Sequence, residues 1–251
     1  MSEIKYTGSL LGLAIGDALG APLEFTKPGT FPPIKDFHGG GKFKLNAGEW
    51  TDDTSMALCL AESLIRCNGF DPKDQMDTYW KWLAEGHLSV KDKAVGVGKT
   101  TMRAIFEYKK SGEPYSSVTN PMSAGNGSIM RLAPVPLFYV DDPLEAIERS
   151  GESSRTTHAL QVNIDSCKYF GGLIWGALNG IDKKELLSSF YSPVSGYWDE
   201  HEMVSDLSDV ASGSFKKKNP PEIKGAGYVV ESLEAALWAF YNSDSFEEGV
   251  L

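Results

Sequence analysis

Glycine interrupts the apolar residues of the first strongly patterned segment, residues 8–20, at every fourth position. The segment reads Gly-Ser-Leu-Leu-Gly-Leu-Ala-Ile-Gly-Asp-Ala-Leu-Gly. A four-residue period places all four glycines on one face of a helix, where they form a smooth ridge. Because glycine inside a helix costs about 1 kcal/mol relative to alanine, we expect this ridge to lie against another backbone or a ligand. Leucine and isoleucine on the other faces predict a helix that is buried all round.

Helical spacing of apolar residues recurs along most of the chain, and almost no segment alternates as a half-buried strand does. A second helix is predicted to begin within residues 50–54, since Met56, Leu60 and Leu64 follow at helical intervals. Further helices are predicted at 74–84, 98–110, 143–151, 158–178, 181–190 and 228–241. The regions predicted to be irregular are a long loop at 26–50 and a surface excursion at 191–224. The sequence therefore predicts one compact all-α domain over residues 1–251.

Net charge and the distribution of apolar residues narrow the kinds of partner that this protein can bind and the compartment in which we expect it. The chain has 24 Lys and Arg against 34 Asp and Glu, a formal net charge of -10, and a non-specific nucleic-acid binder needs a basic surface. The apolar stretch Leu10–Leu23 contains Asp17 and is shorter than the roughly 20 residues of a bilayer span. With no positive secretory region at its start, the protein is expected to be cytoplasmic, without a nucleic-acid or membrane partner. Cys59, Cys67 and Cys167 match no metal-site spacing and are expected to be reduced and buried.

Thr51, Asp52 and Asp53 stand at the predicted start of the second helix and allow two interpretations. Threonine is a good N-cap, and two aspartates in a first turn interact well with the helix dipole. Adjacent carboxylates and a hydroxyl are also the hard oxygen ligands that Mg²⁺ and Mn²⁺ prefer. The two roles are compatible if each carboxylate uses one oxygen for the backbone and the other for a metal.

Glu24 follows the glycine-rich helix, between Leu23 and Phe25. A glutamate just after a proline is commonly a solvated turn residue. Its apolar neighbours allow a second interpretation, a partly buried carboxyl with a raised pKa that is suited to proton transfer.

Gly125–Ser128 and His158 are the remaining candidate binding residues. The Gly-Asn-Gly-Ser loop is either a simple turn or a set of backbone N–H groups that binds a diphosphate. Its spacing is not that of a P-loop. His158 is either a capping residue at a helix start or a hydrogen-bond donor to a ligand. No second histidine accompanies it at the spacing of a zinc site.

The order of these motifs resembles that of the ADP-ribosylglycohydrolase family. The resemblance rests on five segments, which are Gly16–Phe25, Gly48–Thr54, Gly125–Arg131, Thr157–His158 and Gly225–Val229. It spans almost the whole chain. The Gly-Asp-Ala-Leu-Gly and Thr-Asp-Asp-Thr elements are highly specific together.

The resemblance implies an all-α enzyme that removes ADP-ribose from a modified protein side chain or a small conjugate, with two Mg²⁺ or Mn²⁺ ions in a cleft. Thr51, Asp52 and Asp53 correspond to the first group of metal ligands. Glu24 corresponds to a carboxylate that is catalytic or gates the site in some members. Glu24 and Asp53 are thus the candidate catalytic residues, because breaking the anomeric bond requires an activated water and a group to relay its proton.

The same resemblance implies how ADP-ribose is bound. The four residues Gly125, Asn126, Gly127 and Ser128 correspond to the segment that wraps the phosphates. His158 lines the ligand cleft in similar proteins, together with the segment that contains Gly227 and Tyr228. The expected partner is therefore ADP-ribose or an ADP-ribosylated protein.

One element of the family is missing from this sequence. Family members carry a late Gly-Asp-x-Asp-Thr motif whose carboxylates complete the metal site, whereas this chain stops at Leu251. We therefore expect a C-terminally truncated domain with weakened metal binding and a doubtful second ion. Two further classes stay open, a non-catalytic ADP-ribose or nucleotide binder and a structural, crystallin-like relative.

Overall fold

The computed structural model describes residues 3–251 as helices joined by loops. The helices are α1 (Glu3–Gly20), α2 (Asp52–Cys67), α3 (Pro72–Glu85), α4 (Lys99–Ser111), α5 (Pro134–Phe138), α6 (Pro143–Arg155), α7 (Gln161–Leu178), α8 (Lys183–Leu186), α9 (Tyr197–Glu200), α10 (Ser205–Ala211), α11 (Val229–Asn242) and α12 (Phe246–Val250). Single 3₁₀ turns occur at Ala21–Leu23, Pro121–Ser123 and Ser214–Lys216. Over residues 3–251 there is no strand, only two isolated antiparallel bridges, Gly40 with Leu45 and Gly125 with Tyr228. The prediction of an all-α fold is confirmed.

The two largest of four apolar clusters hold the central helices together. The larger one joins α2, α5, α7, α10 and α11. The smaller one lies between α2, α3 and α4 and contains the fully buried side chains of Met56, Tyr79, Trp82 and Ile105. Removing a side chain as large as Trp82 from such a core costs about 3–5 kcal/mol. Because α2 contributes to both clusters, its N-terminus is held in a fixed place.

Local sequence explains several helix boundaries. Asp71 and Asp142 precede prolines at the starts of α3 and α6, and each carboxylate accepts two hydrogen bonds from first-turn N–H groups, as good N-caps do. Helix α2 ends where Asn68 adopts a left-handed conformation, with φ of 50°, and Gly86 ends α3 in the same way, with φ of 71°.

The prediction that the first helix is buried all round is wrong. Only Ala18 and Leu19 of α1 are buried, and Leu11 is 56% exposed. A periodic apolar pattern shows that a helix can be covered, but it does not show which faces the neighbouring helices reach. The ridge of glycines meets no other backbone, since a Cβ at Gly16 would have no atom within 4 Å.

The predicted surface excursion at 191–224 is also wrong. Leu207, Val210 and Phe215 belong to the larger apolar cluster, and the carboxylate of Asp165 accepts a hydrogen bond from the backbone N–H of Val204. The apolar residues of this segment are spaced among many polar ones, which hides their helical interval. Helix 181–190 was predicted too long, because α8 covers only Lys183–Leu186.

The cysteines are free, but they are not all buried. Cys59 and Cys167 lie in the core, whereas Cys67 is exposed at the end of α2, so the expectation of burial is wrong there. In the part of the chain that the structure describes, no helix has the length and apolar character to cross a bilayer.

Candidate active site

The N-terminus of α2 opens into a cleft of about 860 Å³, a size that suits a small-molecule ligand. One wall is the end of α1 and the turn after it, and the other is formed by residues 96–101, 125–127 and 225–227. Nine of the predicted site residues line this cleft, namely Glu24, Thr51, Asp52, Asp53, Gly125, Asn126, Gly127, His158 and Gly227. Gly16 and Gly20 also line it, so the C-terminal half of the glycine ridge faces the ligand space.

Asp17, which was not predicted as a site residue, organises the start of α2. Its carboxylate accepts hydrogen bonds from the N–H and hydroxyl groups of Thr51 (Oγ1–Oδ1 2.7 Å) and of Thr54 (Oγ1–Oδ2 2.7 Å). Thr51 occupies the N-cap position, but its side chain makes no capping bond. The cap is therefore supplied by α1. The only sequence signal for this role was a single acidic residue in an otherwise apolar glycine-rich helix.

Asp52 and Asp53 follow in the first turn of α2 and carry strongly perturbed carboxyl groups. Burial, and after it the charges of Asp17 and Glu24, raises the pKa of Asp52 to about 7. Burial, followed by the charges of Asp52 and Asp17, raises the pKa of Asp53 well above its usual range. Four carboxyl groups thus share one cleft, and each extra negative charge disfavours ionisation of the others. A cation bound here would relieve that repulsion.

Gly96 lets the loop before α4 approach Asp52. Its φ is +92°, and a Cβ built there would lie 2.1 Å from Oδ1 of Asp52. Any side chain at this position would both strain the backbone and displace the carboxylate. The close approach contributes to the burial of Asp52, and burial is the main cause of its raised pKa.

Glu24 lies at the mouth of the cleft and is solvent-exposed. Desolvation of its carboxyl is the largest influence on its pKa and raises it, Lys42 opposes this, and Asp17 adds to it. The next residue, Phe25, has φ of 68°, an unusual conformation for an aromatic residue. The Lys42 ammonium lies 4.0 Å from the centre of the Phe25 ring. The loop that contains Lys42 therefore contacts the turn at Phe25, directly beside Glu24.

The Gly125–Gly127 loop pairs with the segment before α11. The N–H of Asn126 donates to the carbonyl of Gly227 (3.0 Å), and the N–H of Val229 donates to the carbonyl of Ala124 (3.0 Å). The Asn163 amide of α7 donates to the carbonyl of Gly125 (2.8 Å). The loop is therefore held from both sides. Within residues 3–251 the N–H of Gly127 has no hydrogen-bond acceptor, which leaves it able to bind an anion.

Two predicted binding residues do not direct their side chains into the cleft. Ser128 is buried, and its hydroxyl lies beside the Cys167 thiol. The Tyr228 hydroxyl donates to the carboxylate of Asp206 (2.7 Å), while its backbone pairs with Gly125. These two residues can still shape the site through their backbones, because both stand directly beside cleft-lining residues.

His158 reaches the cleft from a buried polar network. The ring is 3% exposed, and burial, followed by the charge of Arg131, lowers its pKa to about 3. Arg131 is fully buried and donates to the carbonyl of Gly127 (2.9 Å) and to the hydroxyl of Thr157 (2.7 Å). Arg131 was predicted only as part of a motif, without a role.

The carboxylates alone do not form a complete metal site. In the described part of the chain, residues 3–251, no group of three or more His, Cys, Asp or Glu side chains is arranged so that it could hold a metal ion. Thr51 adds an oxygen of a different kind. Its hydroxyl proton is donated to Asp17, so its lone pairs are free for a cation next to Asp52 and Asp53.

Comparison with known proteins decides the family. A family profile described as ADP-ribosylglycohydrolase matches residues 2–251. The chain belongs to this family. A solved structure named "ADP-ribosylglycohydrolase-related protein complex" superposes with a TM-score of 0.82 at 40% identity, covering 98% of this chain and 78% of that chain. The resemblance inferred from the five sequence segments is confirmed.

Three similar proteins in this family are named as hydrolases that act on ADP-ribosylated substrates. The chain is 38% identical over 247 residues to the ADP-ribosylarginine hydrolase Tri1 of Pseudomonas putida (strain GB-1), covering 98% of this chain and 64% of that protein. It is 28% identical over 250 residues to the ADP-ribosyl-dinitrogen reductase glycohydrolase of Rhodospirillum rubrum, covering 97% and 76%. The ADP-ribosylarginine hydrolase Tri1 of Serratia proteamaculans (strain 568) is 36% identical over 247 residues, covering 98% of this chain and 65% of that protein. The chain thus spans just under two thirds of the two ADP-ribosylarginine hydrolases.

Proposed function

We propose that this chain carries the site of a divalent-metal-dependent hydrolase that releases ADP-ribose from ADP-ribosylated arginine. One observation carries the proposal: a cleft of about 860 Å³ joins a cluster of four carboxyl groups to a glycine loop with a free N–H. The carboxyl groups suit chemistry at a sugar carbon, and the loop suits a diphosphate. Arginine as the leaving group follows from the names of the two relatives at 36% and 38% identity.

The donor set at the start of α2 fits a hard divalent cation such as Mg²⁺ or Mn²⁺. Asp52 and Asp53 supply carboxylate oxygens, and Thr51 supplies a hydroxyl oxygen whose proton is already donated to Asp17. A cation held by these residues would supply the Lewis acidity that activates water for attack on the sugar. It also replaces the protons that the raised pKa values of Asp52 and Asp53 would otherwise require at neutral pH.

The residues of the chain then share the work of hydrolysis. The bond between the ribose anomeric carbon and the guanidine nitrogen breaks, water adds to that carbon, and the nitrogen leaves with a proton. Asp53 and Glu24 are the carboxylates that accept or relay the water's proton; the raised pKa of Glu24 favours its holding that proton between steps. Gly127 offers its free N–H to the diphosphate, in the loop that Gly227 braces by accepting a hydrogen bond from the N–H of Asn126.

The test measures ADP-ribose released from ADP-ribosylarginine with Mg²⁺, with Mn²⁺ and with EDTA. We expect release with a divalent ion, loss with EDTA, and a fall of about 10²-fold or more in Asp52→Asn. Asp209→Asn is the matched control, since Asp209 is exposed on α10 outside the cleft, and it should keep full activity. Equal release by both variants, or release that EDTA does not change, would contradict the proposal.

The incomplete metal-ligand set favours a second candidate, a non-catalytic ADP-ribose binder. The same samples distinguish it by calorimetry. Tight ADP-ribose binding that EDTA leaves unchanged, together with no release, would select the binder. Binding that requires Mg²⁺ or Mn²⁺ would instead support the hydrolase.

A further inference from the structure

Arg131 is a fully buried cation whose hydrogen bonds all go to uncharged oxygens. Its guanidinium donates to the carbonyl of Gly127 (2.9 Å), the hydroxyl of Thr157 (2.7 Å) and, at 3.3 Å, the carbonyl of Ser153. The Tyr79 ring stacks 4.8 Å from the guanidinium carbon. None of the carboxylates of residues 3–251 forms an ion pair with it. A buried cation is costly without a carboxylate, so a role beyond packing is expected.

The hydrogen bond from Arg131 to Thr157 fixes the direction of the hydrogen bond between Thr157 and His158. A guanidinium has donors only, so the Thr157 oxygen must accept from Arg131. The Thr157 oxygen lies 2.9 Å from Nδ1 of His158. If Nδ1 carried a proton, the hydroxyl hydrogen of Thr157 would need another acceptor, and the described residues offer none. The hydroxyl therefore donates to Nδ1, which is unprotonated.

The ring proton of His158 then lies on Nε2, and this nitrogen faces the glycine loop. A Cβ at Gly125 would lie 3.5 Å from Nε2, and a Cβ at Gly127 would lie 2.8 Å from Cε1. The two glycines let the ring edge come this close to the loop. Burial and the nearby Arg131 charge keep the ring neutral by lowering its pKa, so a single N–H points toward the ligand space.

We propose that Arg131 and Thr157 are positioning residues that hold the proton of His158 on Nε2, so that His158 donates a hydrogen bond to a ligand oxygen bound at the Gly125–Gly127 loop. Without this chain of bonds, the neutral ring could place a lone pair toward that oxygen, and the two would repel. Only the identity of the ligand, an oxygen of ADP-ribose, rests on the proposed function.

The test begins with the ligand-free protein. With ¹⁵N-labelled histidine the chain gives signals from four residues, and His158→Gln identifies the pair from His158. We expect a pyridine-type Nδ1 and a pyrrole-type Nε2 with no titration between pH 5 and 8. A pyrrole-type Nδ1 would overturn the proposal, even if the protein never binds ADP-ribose.

Substitutions then test whether Thr157 sets the tautomer. Thr157→Val keeps the shape but removes the hydroxyl, so we expect mixed signals from His158 and a fall of about tenfold in ADP-ribose affinity, the value of one hydrogen bond. Thr157→Ser should restore both. Thr78→Val is the matched control, because Thr78 is likewise buried and accepts from Arg66 (2.6 Å), and it should change neither.

The outcomes of these measurements on the His158 nitrogens can be distinguished from the outcomes of the hydrolase test. Unchanged nitrogen signals in a folded Thr157→Val protein would overturn the relay, whatever the activity. The expected signals with no ADP-ribose binding would keep the relay and refute the proposed function. If Thr157→Val does not fold, the wild-type tautomer and the Thr157→Ser protein decide.

Discussion

At the scale of single residues, burial shifts the pKa values of the acids and of the histidine in this cleft in opposite directions, and in both cases it favours the neutral form. Asp52 and Asp53 are acids whose pKa values are raised, so burial pushes them toward their neutral form. His158 is a base whose pKa is lowered, so burial pushes it toward its neutral form as well. Arg131, a guanidinium, keeps its charge. In the ligand-free protein at neutral pH, the fixed positive charge thus lies beneath the glycine loop and the titratable negative charge lies at α2.

The lowered pKa of His158 predicts a loss of stability in acid. Between pH 6.5 and about 3 the unfolded chain binds a proton at this residue and the folded chain does not. Stabilisation is therefore complete above pH 6.5 and is lost as the pH falls, at up to about 1.4 kcal/mol per pH unit. Urea unfolding at pH 6.5 and 4.5 should show wild type losing about 2 kcal/mol more than His158→Gln.

A variant at a buried residue that does not titrate serves as the control for this measurement. Ser150 lies outside the cleft, and its hydroxyl donates to the carbonyl of Ala146, so Ser150→Ala should follow the wild-type dependence on pH. Comparing variants in this way removes the contribution of Asp52, whose raised pKa acts in the opposite direction over the same range. Parallel curves for wild type and His158→Gln would show that His158 is protonated in the folded protein.

Nine residues predicted from the sequence line the cleft, but the sequence did not identify the two residues that act on them through hydrogen bonds, Asp17 and Arg131. Asp52, Asp53 and His158 were predicted because their chemistry is visible in a local motif. Asp17 and Arg131 act by hydrogen bonds to residues that are 34 and 26 positions away in the chain. Nothing in a local pattern reveals such partners, because the fold alone brings them together.

At the scale of elements, the carboxylate of Asp17 joins α1 to the N-terminus of α2. It accepts both backbone and hydroxyl donors from Thr51 and Thr54, in place of the N-cap bond that Thr51 does not make. A carboxylate at a helix N-terminus also interacts favourably with the helix dipole. The same contact fixes the direction of the Thr51 lone pairs and so prepares the proposed cation site.

Asp17→Asn should therefore destabilise the protein more than an ordinary cap substitution does. One amide group would face hydroxyl and N–H donors, and charge-assisted bonds contribute about 1.5–3 kcal/mol, so we expect a loss of about 2–3 kcal/mol in urea unfolding. Asp71→Asn at the cap of α3 is the matched control, and it should lose at most about 1 kcal/mol because asparagine caps nearly as well. Equal losses would mean that Asp17 is only a cap.

Three of the longer helices were predicted within about two residues at each end, among them α11, which was predicted at 228–241. Residues 74–84 and 98–110 were predicted within about two residues of α3 and α4, because Asp71, Gly86 and Gly112 mark their limits. The segment 8–20 is helical as predicted, but α1 begins earlier, at Glu3, and its burial was predicted wrongly, as was the surface position of the packed segment 191–224. Burial depends on which helices meet, and the spacing of apolar residues does not specify this.

At the scale of the whole molecule, net charge opposes the ligand that the cleft is proposed to bind. The chain carries a formal charge of -10, and a diphosphate is itself anionic, so the field of the protein repels it at long range. Two local features act against this field. One is the buried charge of Arg131 below the Gly125–Gly127 loop, and the other is the divalent cation that we propose for Asp52 and Asp53.

This balance predicts an unusual dependence of ADP-ribose binding on salt. Raising ionic strength from about 0.01 M to about 0.15 M shortens the screening length from about 30 Å to about 8 Å, which weakens the long-range repulsion but not the short contacts to Arg131. With EDTA present we expect ADP-ribose affinity, measured by calorimetry, to rise several-fold over this range. Adenosine, which is uncharged, should show no such change, and Mg²⁺ or Mn²⁺ should reduce the effect for ADP-ribose. An affinity that falls as salt is added would mean that the local positive charge, rather than the net charge of the molecule, governs the approach of the ligand.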